Sequence, residues 1–136
     1  MNNKEINSYY YKNALSLAYL GDSVFTLMVR NYLIRNFENK PKELNKKANE
    51  VVCARTQALI MKELKDGLKE DETDIVMRAR NSHANNKAKN STLEEYNLAT
   101  QFEALVGYWF LNDKKENLEE MFQRCVVEKL NDKKFV

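Results

Sequence analysis

Turn chemistry is scarce in this sequence, which has three glycines and one proline in 136 residues. Many short strands joined by tight turns need more of both, so the scarcity favours long helices. Histidine is scarcer still. His83 stands alone, and the two cysteines, Cys53 and Cys125, form no CxxC or Cys/His ligand pattern, which excludes a zinc site. The two thiols read as reduced and mostly buried. No apolar run approaches the ~20 residues needed to span a bilayer. Residues 1–13, MNNKEINSYYYKN, hold no apolar signal region, so a cytoplasmic protein without a membrane partner is expected. An excess of one charge is missing too. Lys and Arg total 22 against 20 Asp and Glu, a net of +2, so a nucleic-acid surface would have to come from local clustering.

What is present is apolar helix. Hydrophobic residues make up 43% of the chain, enough for one core in one domain over residues 1–136, with 1–13 a lead-in and 131–136 a frayed tail. Residues 14–35, ALSLAYLGDSVFTLMVRNYLIR, are apolar on nearly every side and predict a helix through the core. Gly21 sits inside it at a cost of about 1 kcal/mol relative to Ala. Asp22 follows, and a buried carboxylate needs a partner. Residues 93–111, LEEYNLATQFEALVGYWFL, predict a second core helix, with Leu98, Phe102, Leu105, Val106 and Trp109 at helical spacing. It too carries one acid in its apolar run, Glu103, and a glycine one turn later, Gly107. Small residues let helix backbones approach, and the approach would bring Asp22 and Glu103 together. Either each acid lies at a partly exposed edge or pairs with Lys or Arg, or a cation lies between them. Mg²⁺, which takes oxygen ligands, suits the second case.

Between these helices Pro41 fits a first helical position, and Leu44, Ala48, Val51 and Val52 give a short amphipathic helix. Another runs from about 54 to 64 and is expected to bury Leu59, Ile60 and Leu64. Gly67 then stands where a left-handed cap is favoured. Residues 70–80 place Asp71, Glu72 and Asp74 early and Arg78 and Arg80 late, as suits the helix dipole. The stretch 81–91, NSHANNKAKNS, lacks apolar periodicity and reads as a loop. With Arg78 and Arg80 it forms the densest run of basic and amide donors, able to meet phosphates and 2′-hydroxyls. Thr92 and Glu95 form a capping box for the second core helix. A last helix from 116 to about 130 turns Leu118, Met121, Phe122, Cys125 and Val126 inward.

Two segments resemble a known family. LAYLGDSVF, residues 17–25, is similar to the signature helix of the ribonuclease III family, and FEALVGYWFL, residues 102–111, to its second motif. KPKELNKKANEVVCARTQA and RARNSHANNKAKN resemble its short branch, Mini-ribonuclease III, which lacks the double-stranded-RNA-binding domain. The likeness runs from about residue 15 to 113. It implies an all-α, dimeric, helical-bundle endonuclease domain that hydrolyses double-stranded RNA with Mg²⁺, or Mn²⁺, and trims 23S ribosomal RNA precursors. Asp22 and Glu103 match the family's catalytic, metal-binding acids. Lys46, Lys47, Arg55, Arg78, Arg80, Asn81, Lys87 and Lys89 become the expected RNA contacts. Longer members carry Glu four residues before Asp22 and Asp three residues before Glu103, where this chain has Ala18 and Thr100. Fewer protein ligands remain, and waters, the RNA phosphate or Glu43 are the candidates to fill the gap, with no role assigned to Glu43. The alternatives are a non-catalytic RNA-binding protein assisting ribosome assembly, or a helical interaction protein without RNA.

Overall fold

The computed structural model describes residues 13–37, 40–82 and 92–131, and among these the regular structure is all helical. Helix α1 (Ala14–Asn36) is followed by α2 (Pro41–Val52), α3 (Ala54–Leu64), a 3₁₀ turn (Lys65–Gly67) and α4 (Glu70–Asn81). Helix α5 (Leu93–Leu111), α6 (Lys115–Met121), a π-helical turn (Phe122–Val126) and α7 (Val127–Asn131) complete the order. No helix among the described residues is long and apolar enough to cross a membrane.

The starts of the two long helices follow from local chemistry. The Asn13 side chain accepts the Leu15 N–H at 2.8 Å. Thr92 Oγ1 accepts the Glu95 N–H at 3.0 Å while Glu95 Oε1 accepts the Thr92 N–H at 3.1 Å, a reciprocal capping box. Pro41 opens α2, where its missing N–H leaves no bond unmade. Glu43 turns back to accept the Lys40 N–H at 3.2 Å, so this acid caps a helix.

Helix α5 is the axis of the fold, packed by α1, α3, α4 and α6. From Ala99 to Trp109 every residue is buried except Glu103, which is half-buried. Phe102 meets Phe25 of α1 edge to face, with ring centroids 4.9 Å apart. The far end of α5 is fastened to α4. The Tyr108 hydroxyl donates to Asp71 Oδ2 at 2.5 Å, and Trp109 Nε1 donates to Glu72 Oε2 at 2.6 Å. Lys114 Nζ lies 3.3 Å from Asp71 Oδ2, and Asn117 Nδ2 donates to Glu72 Oε2 at 3.2 Å. The early acids of α4 therefore serve tertiary structure as well as the helix dipole.

Several local expectations change. Leu59 is 42% exposed, because α3 turns Thr56, Gln57, Ile60, Met61 and Leu64 inward and Leu59 away. Gly67 adopts no positive φ, since the 3₁₀ turn runs directly into extended backbone at Leu68. Among the described residues the left-handed one is Asp113, with φ 54°, just past α5. The last helix is not continuous α. At its centre the Val127 N–H reaches the Phe122 carbonyl, and this wider turn keeps Phe122, Cys125 and Val126 all buried. Cys125 is buried but Cys53 is exposed, its Sγ 3.3 Å from Thr56 Oγ1. Asn81 is the last residue of α4 rather than loop. The tyrosines at 9–11, residues 83–91 and the tail 132–136 lie outside the described residues.

Candidate active site

Gly21 and Gly107 make the crossing of α1 and α5. A Cβ added to Gly21 would stand 1.8 Å from the Glu103 carbonyl oxygen, and one added to Gly107 would stand 2.1 Å from the Leu17 carbonyl oxygen. Each glycine thus lies against the partner helix's backbone, and no side chain fits in either place. Asp22 and Glu103 adjoin that contact. Asp22 is exposed and Glu103 half-buried, and Asp22 is near enough to act on the Glu103 carboxyl group. Burial, followed by the hydrogen bond to Asp22 and its negative charge, pushes Glu103 up from 4.5 to about 8. The Gln57 side chain of α3 pulls Glu103 in the other direction.

The two positions that depart from the longer enzymes offer no further carboxylate. Ala18 is buried, and the Thr100 hydroxyl donates to the Tyr96 carbonyl at 3.0 Å. Among the described residues no three His, Cys, Asp or Glu gather as a metal-binding group. The acid pair nonetheless fits one hard cation. Mg²⁺ keeps several waters and takes one or two carboxylates plus substrate phosphate oxygens, and a cation between two carboxylates relieves their repulsion.

The basic positions are distributed over three helices. Lys46 is exposed on α2, and Arg55 is exposed in the first turn of α3. Lys47 is half-buried, with Nζ 4.6 Å from the centre of the Phe37 ring. On α4, Arg78 Nη1 lies 4.0 Å from Asp74 Oδ2, Arg80 is exposed against Met77, and Asn81 is exposed at the helix end. Lys87 and Lys89 lie outside the described residues. Sequence reasoning missed Gln57, Asp71 and Glu72. An amide three residues before Ile60 and seven before Leu64 was the available signal for Gln57, since that spacing puts it on the buried stripe.

A profile of the Ribonuclease III domain matches residues 15–114. The Mini-ribonuclease 3 of Brevibacillus brevis is 41% identical over 113 residues, covering 83% of this chain and 84% of that protein. The Mini-ribonuclease 3 of Enterococcus faecalis is 37% identical, over 89% of this chain and 93% of that one. A crystal structure of a Fusobacterium nucleatum protein superimposes with a TM-score of 0.76 at 32% identity, covering 83% of this chain and 90% of that one. With both motif helices inside the matched region and crossing at their glycines, the chain belongs to the ribonuclease III family, in its short Mini-ribonuclease III branch.

Proposed function

We propose that this protein is a Mg²⁺-dependent endoribonuclease that cleaves double-stranded RNA, in the cytoplasm, with 23S ribosomal RNA precursor as its substrate. The observation that carries the reading is the pair of neighbouring carboxyls, Asp22 and Glu103, at the glycine crossing of α1 and α5 in a chain of this family. Asp22 and Glu103 would hold Mg²⁺ or Mn²⁺, directly or through water. When bound, such an ion activates a water and steadies charge on the phosphate and the leaving oxygen. The chain's own contribution is to fix the two carboxylates against each other by backbone contact rather than by flexible side chains. Half-burial of Glu103 keeps bulk water partly away and strengthens its hold on a cation. Lys46, Lys47, Arg55, Arg78, Arg80, Asn81, Lys87 and Lys89 supply phosphate contacts, and no bulk positive charge assists them.

Cutting both strands of a duplex takes two sites, which a homodimer supplies. Leu27 and Ile34, seven residues apart on α1, are 67% and 70% exposed, and this unpartnered apolar surface favours a second copy. Light scattering at micromolar concentration should report twice the chain mass of 16.0 kDa. The decisive assay incubates purified protein with an RNA duplex, with and without Mg²⁺. Cuts on both strands that require the ion are expected. RNA binding without cuts in Mg²⁺ or Mn²⁺ would overturn the nuclease in favour of an RNA-binding protein of ribosome assembly.

A further inference from the structure

A cleft of about 330 Å³ lies between α3, α4 and α5, within the size range of ligand sites. Its walls include Met61, Met77 and Leu98. Met61 is buried, but Met77 is 39% exposed. Methionine side chains adapt in shape, and their sulfur makes favourable contacts with flat rings. The polar part of the lining is a pair of amides one turn apart on α5. Gln101, 7% exposed, donates from Nε2 to Asn97 Oδ1 at 2.9 Å. Among the described residues neither amide makes another hydrogen bond, which leaves the Gln101 Oε1 acceptor and the Asn97 Nδ2 donor. A buried polar atom needs a partner. Two cations, Lys65 and Arg80, also line the cleft, and among the described residues neither is in an ion pair. Arg80 Nη1 lies 3.9 Å from the Met77 sulfur. The acid in the lining, Glu94, is drawn to Lys62, 4.0 Å away and outside the cleft.

We infer that this cleft takes an unpaired nucleotide of the RNA, its base against Met61, Met77 and Leu98 and its phosphate on Lys65 and Arg80. The inference deepens, and rests on, the reading of the protein as an enzyme that acts on RNA. Each part of the lining answers one part of a nucleotide. The flat ring covers the methionine wall, the base edge meets an amide acceptor and an amide donor, and the phosphate meets two unpaired cations. An aliphatic ligand would leave the amides unsatisfied, and a bare anion would leave the apolar wall uncovered. A base inside a duplex has its edge and faces occupied, so the nucleotide comes from a single-stranded stretch beside the duplex. Gln101 stands two residues from Glu103, which turns it about 200° around α5. The cleft therefore lies on another side of that helix from the acid pair, and it grips RNA away from the bond that is cut. Arg80 joins it to the expected RNA surface, next to Asn81 at the end of α4.

The test has two arms. In the first, protein with isotope-labelled methionine methyls is titrated by NMR with adenosine monophosphate to millimolar concentration, and separately with inorganic phosphate. The nucleotide should shift Met61 and Met77 saturably and leave Met28 and Met121, which stand outside the cleft, in place. Inorganic phosphate should not reproduce those shifts. In the second arm, affinity without divalent ions is compared for a blunt RNA duplex and the same duplex with a short single-stranded flank. Wild type should bind the flanked RNA about fivefold more tightly, the effect of roughly one hydrogen bond with some apolar burial. Gln101→Met, which removes the amide at similar length, should reduce that ratio, and Met77→Glu, at an exposed position where folding is safe, should abolish it. Using the ratio cancels the general effect of the added charge. Absent Met61 and Met77 shifts, equal shifts with inorganic phosphate, or a flank preference that is missing or survives Met77→Glu would each overturn the inference. Nucleotide binding without flank preference would leave a mononucleotide site and overturn the RNA assignment. Cleavage of the blunt duplex in Mg²⁺ separates the two ideas. If wild type cuts nothing but nucleotide and flank behave as expected, the nuclease reading falls and the cleft stands. If it cuts but Met61 and Met77 never move, the cleft alone falls.

Discussion

Two pairs of acids meet helix α5, and their surroundings differ. Asp71 and Glu72 end on donors. Burial alone would raise Asp71, but the Tyr108 hydroxyl and the Lys114 ammonium outweigh it and hold the carboxyl below its usual range. Glu72, 3% exposed, takes bonds from Trp109, Asn117 and the Lys69 N–H. Glu103 instead meets a second acid, Asp22, with the neutral Gln57 amide pulling only weakly the other way, and is pushed up to about 8. The first pair satisfies its charges within the protein, as a structural fastening should. The second leaves a charge problem that a cation would solve, and a fold retains such a conflict where function uses it.

The sharpest way to break this contrast is to neutralise each pair in turn. Asp22→Asn or Glu103→Gln should reduce Mg²⁺-dependent cleavage by two orders of magnitude or more, with RNA binding and folding intact, because the ion's ligands are lost. Initial rates and a melting curve on the same sample check both parts. Gly107→Ala tests the scaffold beneath. Its Cβ would meet the Leu17 carbonyl at 2.1 Å, a backbone atom that cannot swing aside, so a loss of about 3 kcal/mol or more is expected in denaturant unfolding. Glu72→Ala should lower stability by about 2–4 kcal/mol, since it strands the Trp109 N–H, while activity per folded molecule persists.

The two pairs should also respond oppositely to pH in metal-free protein. Asp71, held low, contributes stability that is present above its ordinary 3.8 and lost as pH falls through its lower folded value. Glu103, raised from 4.5 to about 8, binds more protons folded than unfolded across that window, so stability falls as pH rises from 4.5 to 8. Glu103→Gln should remove this decline and be the more stable protein at pH 8, by about 1–2 kcal/mol after allowing for solvent screening of a half-buried group. Chemical unfolding at pH 5 and pH 8 checks the sign. The smallest effect belongs to the surface: Arg55→Ala should reduce the slope of log affinity against log salt by somewhat under one unit, measured on an RNA duplex.

Much of this arrangement was legible in the sequence. The paired glycine-acid motifs placed α1 against α5 because few residues permit so close an approach, and an acid inside an apolar run stands out against its neighbours. The capping box of Thr92 and Glu95 and the helical start at Pro41 are local chemistry and read directly. What escaped was tertiary. Asp71 and Glu72 already had a local explanation in the helix dipole, so their reach to Tyr108, Lys114, Trp109 and Asn117 left no sequence signal. Gln57 is a polar residue that acts on Glu103 from another helix. The π turn at Phe122–Val126 keeps the apolar spacing of an ordinary helix, and the inward set Leu118, Met121, Phe122, Cys125 and Val126 reads the same with or without it.

The most direct measurement is the melting temperature of wild type and Glu103→Gln at pH 8 as Mg²⁺ is added. A ligand that binds only the folded state at ten times its dissociation constant stabilises by about 1.4 kcal/mol. Wild type should therefore rise by several degrees and reach a plateau, more at pH 8 than at pH 5, while Glu103→Gln starts higher and stays flat. An equal Mg²⁺ response in the two proteins would contradict Asp22 and Glu103 as the cation-binding pair.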